Sequence, residues 1–317
     1  MHEVLRFEPI YQGRIWGGRR LESAFGRVLP ESQAIGESWE IVDRPEAQSV
    51  IRGGALTGRT LRQAIEADPA GIMGPKWPRD RVFPILVKWL DCRERLSLQV
   101  HPPAAVAPGL RGEPKTENWY VADTDADAAL LVGLRPGVNR ARFEQALAQG
   151  SIEACVRRLP VSPGDSILVE SGTVHAIDAG CLILEIQQNS DTTFRVFDWG
   201  RVGEDGNPRA LHLKESMASI LWSGEEPELI RGTEANAVIA DAREFRIRRI
   251  SLAKGETLAF AAGEQPRLLG CVSGAVAIEG ASLAPVVTGE NVLLPFAGRF
   301  TFRATAPAVV LVTENFA

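Results

Sequence analysis

Residues 96–103 read LSLQVHPP. Leu96, Leu98 and Val100 alternate with Ser97, Gln99 and His101, the period-two pattern of a strand with one apolar and one polar face. Gln99 and His101 are two residues apart, so they project from the same face. A solvated strand face ordinarily carries Lys, Glu or Thr. A glutamine beside a histidine, ended by two prolines, reads instead as a pair placed to hold something between them.

The same short-strand pattern extends outward. Residues 38–42, 82–89, 129–132, 166–170, 181–187 and 193–199 are strand-like segments separated by Gly, Pro and Asp turns. From about residue 244 the β pattern is continuous, over 245–252, 268–272, 276–279, 291–294, 299–303 and 308–313. Strands at this spacing predict a barrel or a sandwich. Helices are expected at 60–67, at 140–148 behind a cap at Asn139, and at 213–221. This helical patch reads as an insertion in a β scaffold. The acidic stretch 225–240 reads as a connector. Length sets a prior of two domains, taken as 1–240 and 241–317.

A faint internal repeat links the two halves. GDSILVE (164–170) matches GENVLLP (289–295): a glycine turn, an acid, a polar residue, then an apolar strand. In that register His175 falls opposite Phe300. Two barrels of common design would follow, with a polar site in the first and an aromatic filling in the second.

Composition excludes several partners. Net charge is −5 with no basic block, so nucleic acid is not expected. No apolar run is long enough to span a bilayer, and the opening MHEVLRFEPIYQGRIWGG lacks a signal-peptide core. Cys92, Cys155, Cys181 and Cys271 are scattered without a CxxC pair, as expected of small core residues in a reducing cytoplasm.

Histidine is scarce, at positions 2, 101, 175 and 212. His101 follows Gln99. Glu117 lies in KTENWY, and His175 lies in ESGTVHAIDAG after the strand SILVE. Two imidazoles, a carboxylate and an amide oxygen form a mixed nitrogen and oxygen set suited to a borderline divalent ion such as zinc. A single histidine on a strand more often serves structure, so spacing alone leaves both readings open. Asp191 and Arg195 stand four apart in NSDTTFRVFDWGR and would share a strand face, either as a structural ion pair or as active groups. Lysine is also sparse, with five in the chain. Lys88 ends the apolar run VFPILVK, Lys115 is two residues before Glu117, and Lys214 falls in RALHLKESM.

Taken together, YQGRIWGG, GESWEI, PILVKWLD, LSLQVHP, KTENWY, SGTVHAIDAG and QNSDTTFRVFDWGR resemble the type I phosphomannose isomerase family, in its order from residue 11 to about 222. The resemblance implies a mainly β fold: tandem cupin (jelly-roll) barrels with a small helical insertion. It implies a zinc ion in the first barrel, with Gln99, His101, Glu117 and His175 as ligands. The implied reaction is reversible conversion of mannose 6-phosphate to fructose 6-phosphate through an enediolate, with a small hexose phosphate as partner. Arg195, Lys115, Lys88 and Asp191 become the candidate catalytic residues. Arg195 would sit near substrate oxygens or phosphate. Lys115 would assist proton transfer or stabilise the enediolate, with Lys88 in the same pocket. Asp191 would orient Arg195 or handle the ring-opening proton. The alternatives are an isomerase of a free aldose, a non-catalytic sugar-binding cupin, and an iron oxygenase; Gln99 and the lysines argue against the last.

Overall fold

The computed structural model describes residues 3–203, 206–224, 226–280 and 283–316. His2 and Glu225 lie outside them. Four sheets stack in two pairs. In the first pair, a seven-stranded sheet runs Leu229–Ile230, Ser166–Val169, Glu117–Thr124, Cys181–Gln188, Ile85–Cys92, Ile35–Ile41, Ile10–Gly18. It faces a five-stranded sheet of Val156–Pro160, Ala129–Leu134, His175–Ile177, Leu98–Val100 and Phe194–Phe197. Trp119, Val121, Ile167 and Val169 from the first sheet pack against Leu130, Val132 and Ile177 from the second, forming the core between them.

The second pair is built alike. Its large sheet includes Arg246–Leu252, Ala308–Glu314, Arg267–Ser273 and Asn291–Leu294. Its small sheet includes Thr257–Phe260, Phe300–Ala304 and Ala275–Ile278. Leu269, Cys271, Val292 and Val310 meet Phe260, Phe300 and Phe302 in a separate core. Phe300, which the repeat register sets opposite His175, packs in the second barrel's core. Both repeat segments start from a glycine at positive φ, Gly164 at 95° and Gly289 at 89°, a conformation that side chains with a Cβ rarely adopt.

The two large sheets pack back to back. Ile85, Val87, Trp89 and Leu184 meet Leu268, Leu293, Ile247 and Leu311 in one cluster. Each such side chain contributes roughly 1.5–3 kcal/mol by burial. This explains the unbroken apolar run of Ile85–Cys92, in which all eight residues are buried. Odd positions face the second barrel, while Leu90 and Cys92 join the first barrel's core. Lys88 has the inward parity, so its charge points into the first barrel. On the outer side, the Gly289 carbonyl accepts from Trp89 Nε1 at 2.9 Å and from Arg27 at 2.7 Å.

The three expected helices form close to their expected places, beside two short unexpected ones, Arg20–Phe25 and Pro69–Ile72. Leu61–Ala67 starts at a capping box in which Thr60 accepts from Gln63 N–H. Arg140–Ala148 starts at Asn139, whose side chain accepts from Arg142 N–H. The third helix, expected over 213–221, stops at Leu213–Ser219 because Ile220 is extended. All four cysteines are free and buried.

The expected division at 240 is crossed by the chain. Leu5–Phe7 pairs with Asn291–Leu294 on one side and Ile51–Arg52 on the other, so N-terminal residues complete the second barrel's sheet. The expected connector also holds structure. Leu229–Ile230 closes the first large sheet, and Asn236–Asp241 pairs with Arg246–Leu252 in the second. Two- and three-residue strands carry too little alternation to be seen in sequence.

Candidate active site

Sheet register brings the polar residues together. Glu185 stands opposite Lys88 on one side and Trp119 on the other. Glu117 stands opposite Gln187 on one neighbour and Val169 on the other. On the facing sheet, Gln99 stands opposite His175 and Arg195. Directly opposed residues put their side chains on one face. The pairing therefore groups Gln99, His175 and Arg195 on one wall, and Lys88 and Glu185 on the other.

His101, Glu117 and His175 are all buried, and one ligand atom from each lies within 4.8 Å of the others. His101 Nδ1 is 2.7 Å from the Thr192 carbonyl, and His175 Nδ1 is 2.8 Å from the Thr173 carbonyl. A carbonyl only accepts, so each Nδ1 carries the proton and each neutral ring turns its Nε2 lone pair inward. Those atoms sit 3.5 and 3.4 Å from the two oxygens of Glu117. Glu117 Oε1 and His175 Nε2 have no hydrogen-bond partner. Second-sphere carbonyls holding Nδ1 while Nε2 points at a common centre is the usual arrangement around a ligating histidine. The donor set thus fits a divalent cation. Lys115 Nζ lies 2.6 Å from Glu117 Oε2 and 3.3 Å from His101 Nε2.

Beside this cluster is a cleft of about 350 Å³, within the range of small-ligand pockets. Gln99, Lys115, Lys88, Asp191 and Arg195 all line it, together with Glu185, Glu37 and Arg209. Lys88 Nζ lies between three carboxylates, 3.6 Å from Glu37, 3.7 Å from Glu185 and 3.8 Å from Asp191. Glu185 accepts from Trp119 Nε1 at 3.0 Å and lies 3.9 Å from Lys115 Nζ. Trp119 also presents its ring edge-on to His175.

The expected Asp191–Arg195 pairing is corrected here. The strand begins at Phe194, so Asp191 precedes it and shares no strand face with Arg195. Asp191 turns to Lys88 instead. Arg195 has no carboxylate within ion-pair distance among the described residues, and its Nη1 donates to the Ala210 carbonyl at 2.8 Å. Lys214 lies elsewhere, in a surface groove with Arg140 and Met217. His212 is structural, accepting from Arg195 N–H at 3.1 Å.

Glu185, Glu37 and Arg209 line the cleft without being among the residues expected from sequence. Glu185 had a signal: a lone acid inside CLILEIQQ, a strand buried along nearly its whole length. Such an acid needs partners. Glu37 sits in GESWEI and Arg209 in RALHLKESM, and neither stands out from solvated neighbours.

Burial and charge set the protonation states. Burial, helped by the charge of Lys115, holds His101 down near a pKa of about 3, against the pull of Glu117. Burial likewise lowers His175. Burial pushes Glu117 and Glu185 up alike. For Glu117 the adjacent charge of Lys115 wins, and it stays well below the usual carboxylate range. For Glu185 burial wins, with Glu117 and Glu37 adding to it, and its pKa is raised. Burial is also overcome at Glu37, which Lys88 and Arg14 hold at about 2.

These shifts predict acid sensitivity. As pH falls below about 6.5 the unfolded chain protonates His101 while the native state does not until about 3. Glu37 adds stability above about 4.5 that is lost toward 2. Both effects lower stability with acid. Glu185, raised, works in the opposite sense above about 4.5 and offsets part of the fall. The melting temperature of chelator-treated protein should be lower at pH 4 than at pH 7, and equal values would contradict these protonation states.

Comparison with known proteins places this architecture. The model for the type I phosphomannose isomerase catalytic domain matches residues 4–130. Mannose-6-phosphate isomerase ManA of Bacillus subtilis is 40% identical over 222 residues, covering 69% of this chain and 68% of the relative. Mannose-6-phosphate isomerase of Streptococcus mutans is 39% identical over 218 residues, covering 68% and 67%. The crystal structure of the mannose 6-phosphate isomerase from Bacillus subtilis superposes with a TM-score of 0.87 at 26% identity, over 99% of this chain and 100% of that one. The stacked sheets are those of a cupin-type enzyme. The chain belongs to the type I phosphomannose isomerase family.

Proposed function

We propose that this protein interconverts mannose 6-phosphate and fructose 6-phosphate, with one zinc ion held by Gln99, His101, Glu117 and His175. One observation carries the reading: two neutral imidazole Nε2 atoms and both oxygens of a buried Glu117 converge beside a cleft lined by Lys115 and Glu185. Zinc suits the nitrogen and oxygen donors, and it would polarise the substrate's oxygens.

The chain's own groups do the rest. Moving a carbonyl from C1 to C2 needs a base that takes a proton from one carbon and returns it to the next. Glu185 fits that task, because a raised carboxyl pKa brings it toward the operating range of a base. The Lys115 ammonium stabilises the negative charge of the enediolate. Lys88 holds Glu185 and Asp191 in place, and Asp191, partly exposed at the cleft, takes the ring-opening proton. Arg195, with no carboxylate of its own, receives the phosphate. The catalytic site lies in residues 1–240, with 241–317 as a scaffold barrel. Four free buried thiols support a cytoplasmic setting.

The test is turnover of mannose 6-phosphate in heavy water, with and without chelator. Fructose 6-phosphate carrying solvent deuterium, formed only with metal present, supports the proposal. Binding without turnover would reject it in favour of a sugar-binding cupin. Turnover of mannose alone would make the substrate a free aldose.

A further inference from the structure

The isomerase reading leaves open what grips the far end of the substrate, and the charge distribution of the cleft bears on it. Most of its cations are matched. Arg14 pairs with Glu37 at 2.9 Å, Lys115 with Glu117 at 2.6 Å, and Lys88 lies among three carboxylates. The surroundings of Arg209 differ. Asp198, buried, receives Arg209 Nε at 2.7 Å and Arg209 Nη2 at 2.5 Å, and also Arg201 Nη2 at 2.6 Å. Arg195 adds a third guanidinium there. Three guanidinium groups against one carboxylate leave two positive charges unmatched among the described residues.

The geometry sharpens this. Asp198 grips Arg209 by a fork, which fixes the plane of the guanidinium. That grip uses Nε and Nη2, and no described residue accepts from Nη1. Arg195 Nε is buried and unpartnered as well. Both side chains line the cleft. A sugar phosphate carries about −1.5 to −2 charges at neutral pH and offers three strong acceptor oxygens. That matches the unmatched charge and the unused donors.

We infer that Arg209 is a phosphate-binding residue beside Arg195, and that Asp198 is the positioning residue that aims it. Asp198 does not touch substrate. It ties Arg209 to Arg201 against their mutual repulsion and leaves Arg209 Nη1 for the cleft.

The inference rests on the isomerase reading, and the two fail differently. If the unaltered protein does not turn over mannose 6-phosphate, the reading itself falls. If it does, the experiment compares it with Arg209→Gln and Asp198→Asn, using inorganic phosphate as the competing probe. For Arg209→Gln, KM for mannose 6-phosphate and the inhibition constant of phosphate should rise together by about 10–100-fold, the loss of a charged hydrogen bond. The value of kcat should stay within about threefold, because uniform binding is what is lost. Asp198→Asn should move both constants in the same direction by a smaller factor. If Arg209→Gln does not fold, Arg209→Lys is read instead; it keeps a charge but not the fork. Unchanged KM and phosphate inhibition, or a fall in kcat alone, would overturn the assignment of Arg209. Asp198→Asn at wild-type values would overturn the positioning role.

Discussion

Glu117→Gln should strip the metal and lower turnover by at least about 10³-fold, the scale expected when charge stabilisation by a bound cation is lost. The substitution keeps size and one oxygen but removes the negative charge facing both imidazoles. Glu117 is the group that both Nε2 atoms share, at 3.5 and 3.4 Å. Lys115 Nζ, 2.6 Å from Glu117, would lose its nearest counter-charge and keep Glu185 at 3.9 Å. Metal analysis after dialysis is the direct readout. About one zinc per chain is expected in the parent protein, and much less in the variant. A variant that keeps its metal and turns over at near-parent rates would remove Glu117 from the centre of the site.

Glu185→Gln should leave the metal in place and lower kcat by about 10²–10⁴-fold, the range for loss of general acid–base catalysis. Two effects are separable here. Glutamine still accepts from Trp119 Nε1, so the hydrogen bond of 3.0 Å and the local packing are retained. What disappears is the titrating proton. The pH profile makes the distinction. A base must be unprotonated, so kcat/KM of the parent should fall as pH drops through a pKa above the ordinary carboxylate value of 4.5. In the variant that acid limb should vanish. A Glu185→Gln enzyme with parent-like turnover, or with the same acid limb, would shift the proton-transfer role to another group, with Lys115 the next to test.

Much of this site was legible in the sequence, for a definite reason. Gln99, His101, Glu117, His175, Lys88 and Lys115 are polar groups in short apolar contexts, where burial without function is costly. What escaped depends on register. One partner of Lys88 is Glu185 on a neighbouring strand, and only the pairing of Ile85–Cys92 with Cys181–Gln188 reveals it. The Asp191–Arg195 expectation failed by a few residues of strand boundary: the chain is irregular over residues 190–193 and becomes a strand only at Phe194. Arg209 needed the return of the chain past Asp198 to acquire meaning. The barrels themselves were readable from turns and alternation. The shared sheet was not, because LRF at Leu5–Phe7 carries no pattern of its own.

That three-residue strand has a consequence for how the molecule is made. Leu5–Phe7 waits for Asn291–Leu294, almost the whole chain away. At ribosomal speeds of roughly 5–20 residues per second, some tens of seconds separate the synthesis of the two. Until then the opening segment has only Ile51–Arg52 beside it, and the sheet edge it will occupy does not exist. A late-made stretch therefore closes the structure behind an earlier one, like a drawstring. A nascent chain released before residue 291 would leave both the opening strand and the back of the catalytic barrel uncovered, an invitation to aggregation.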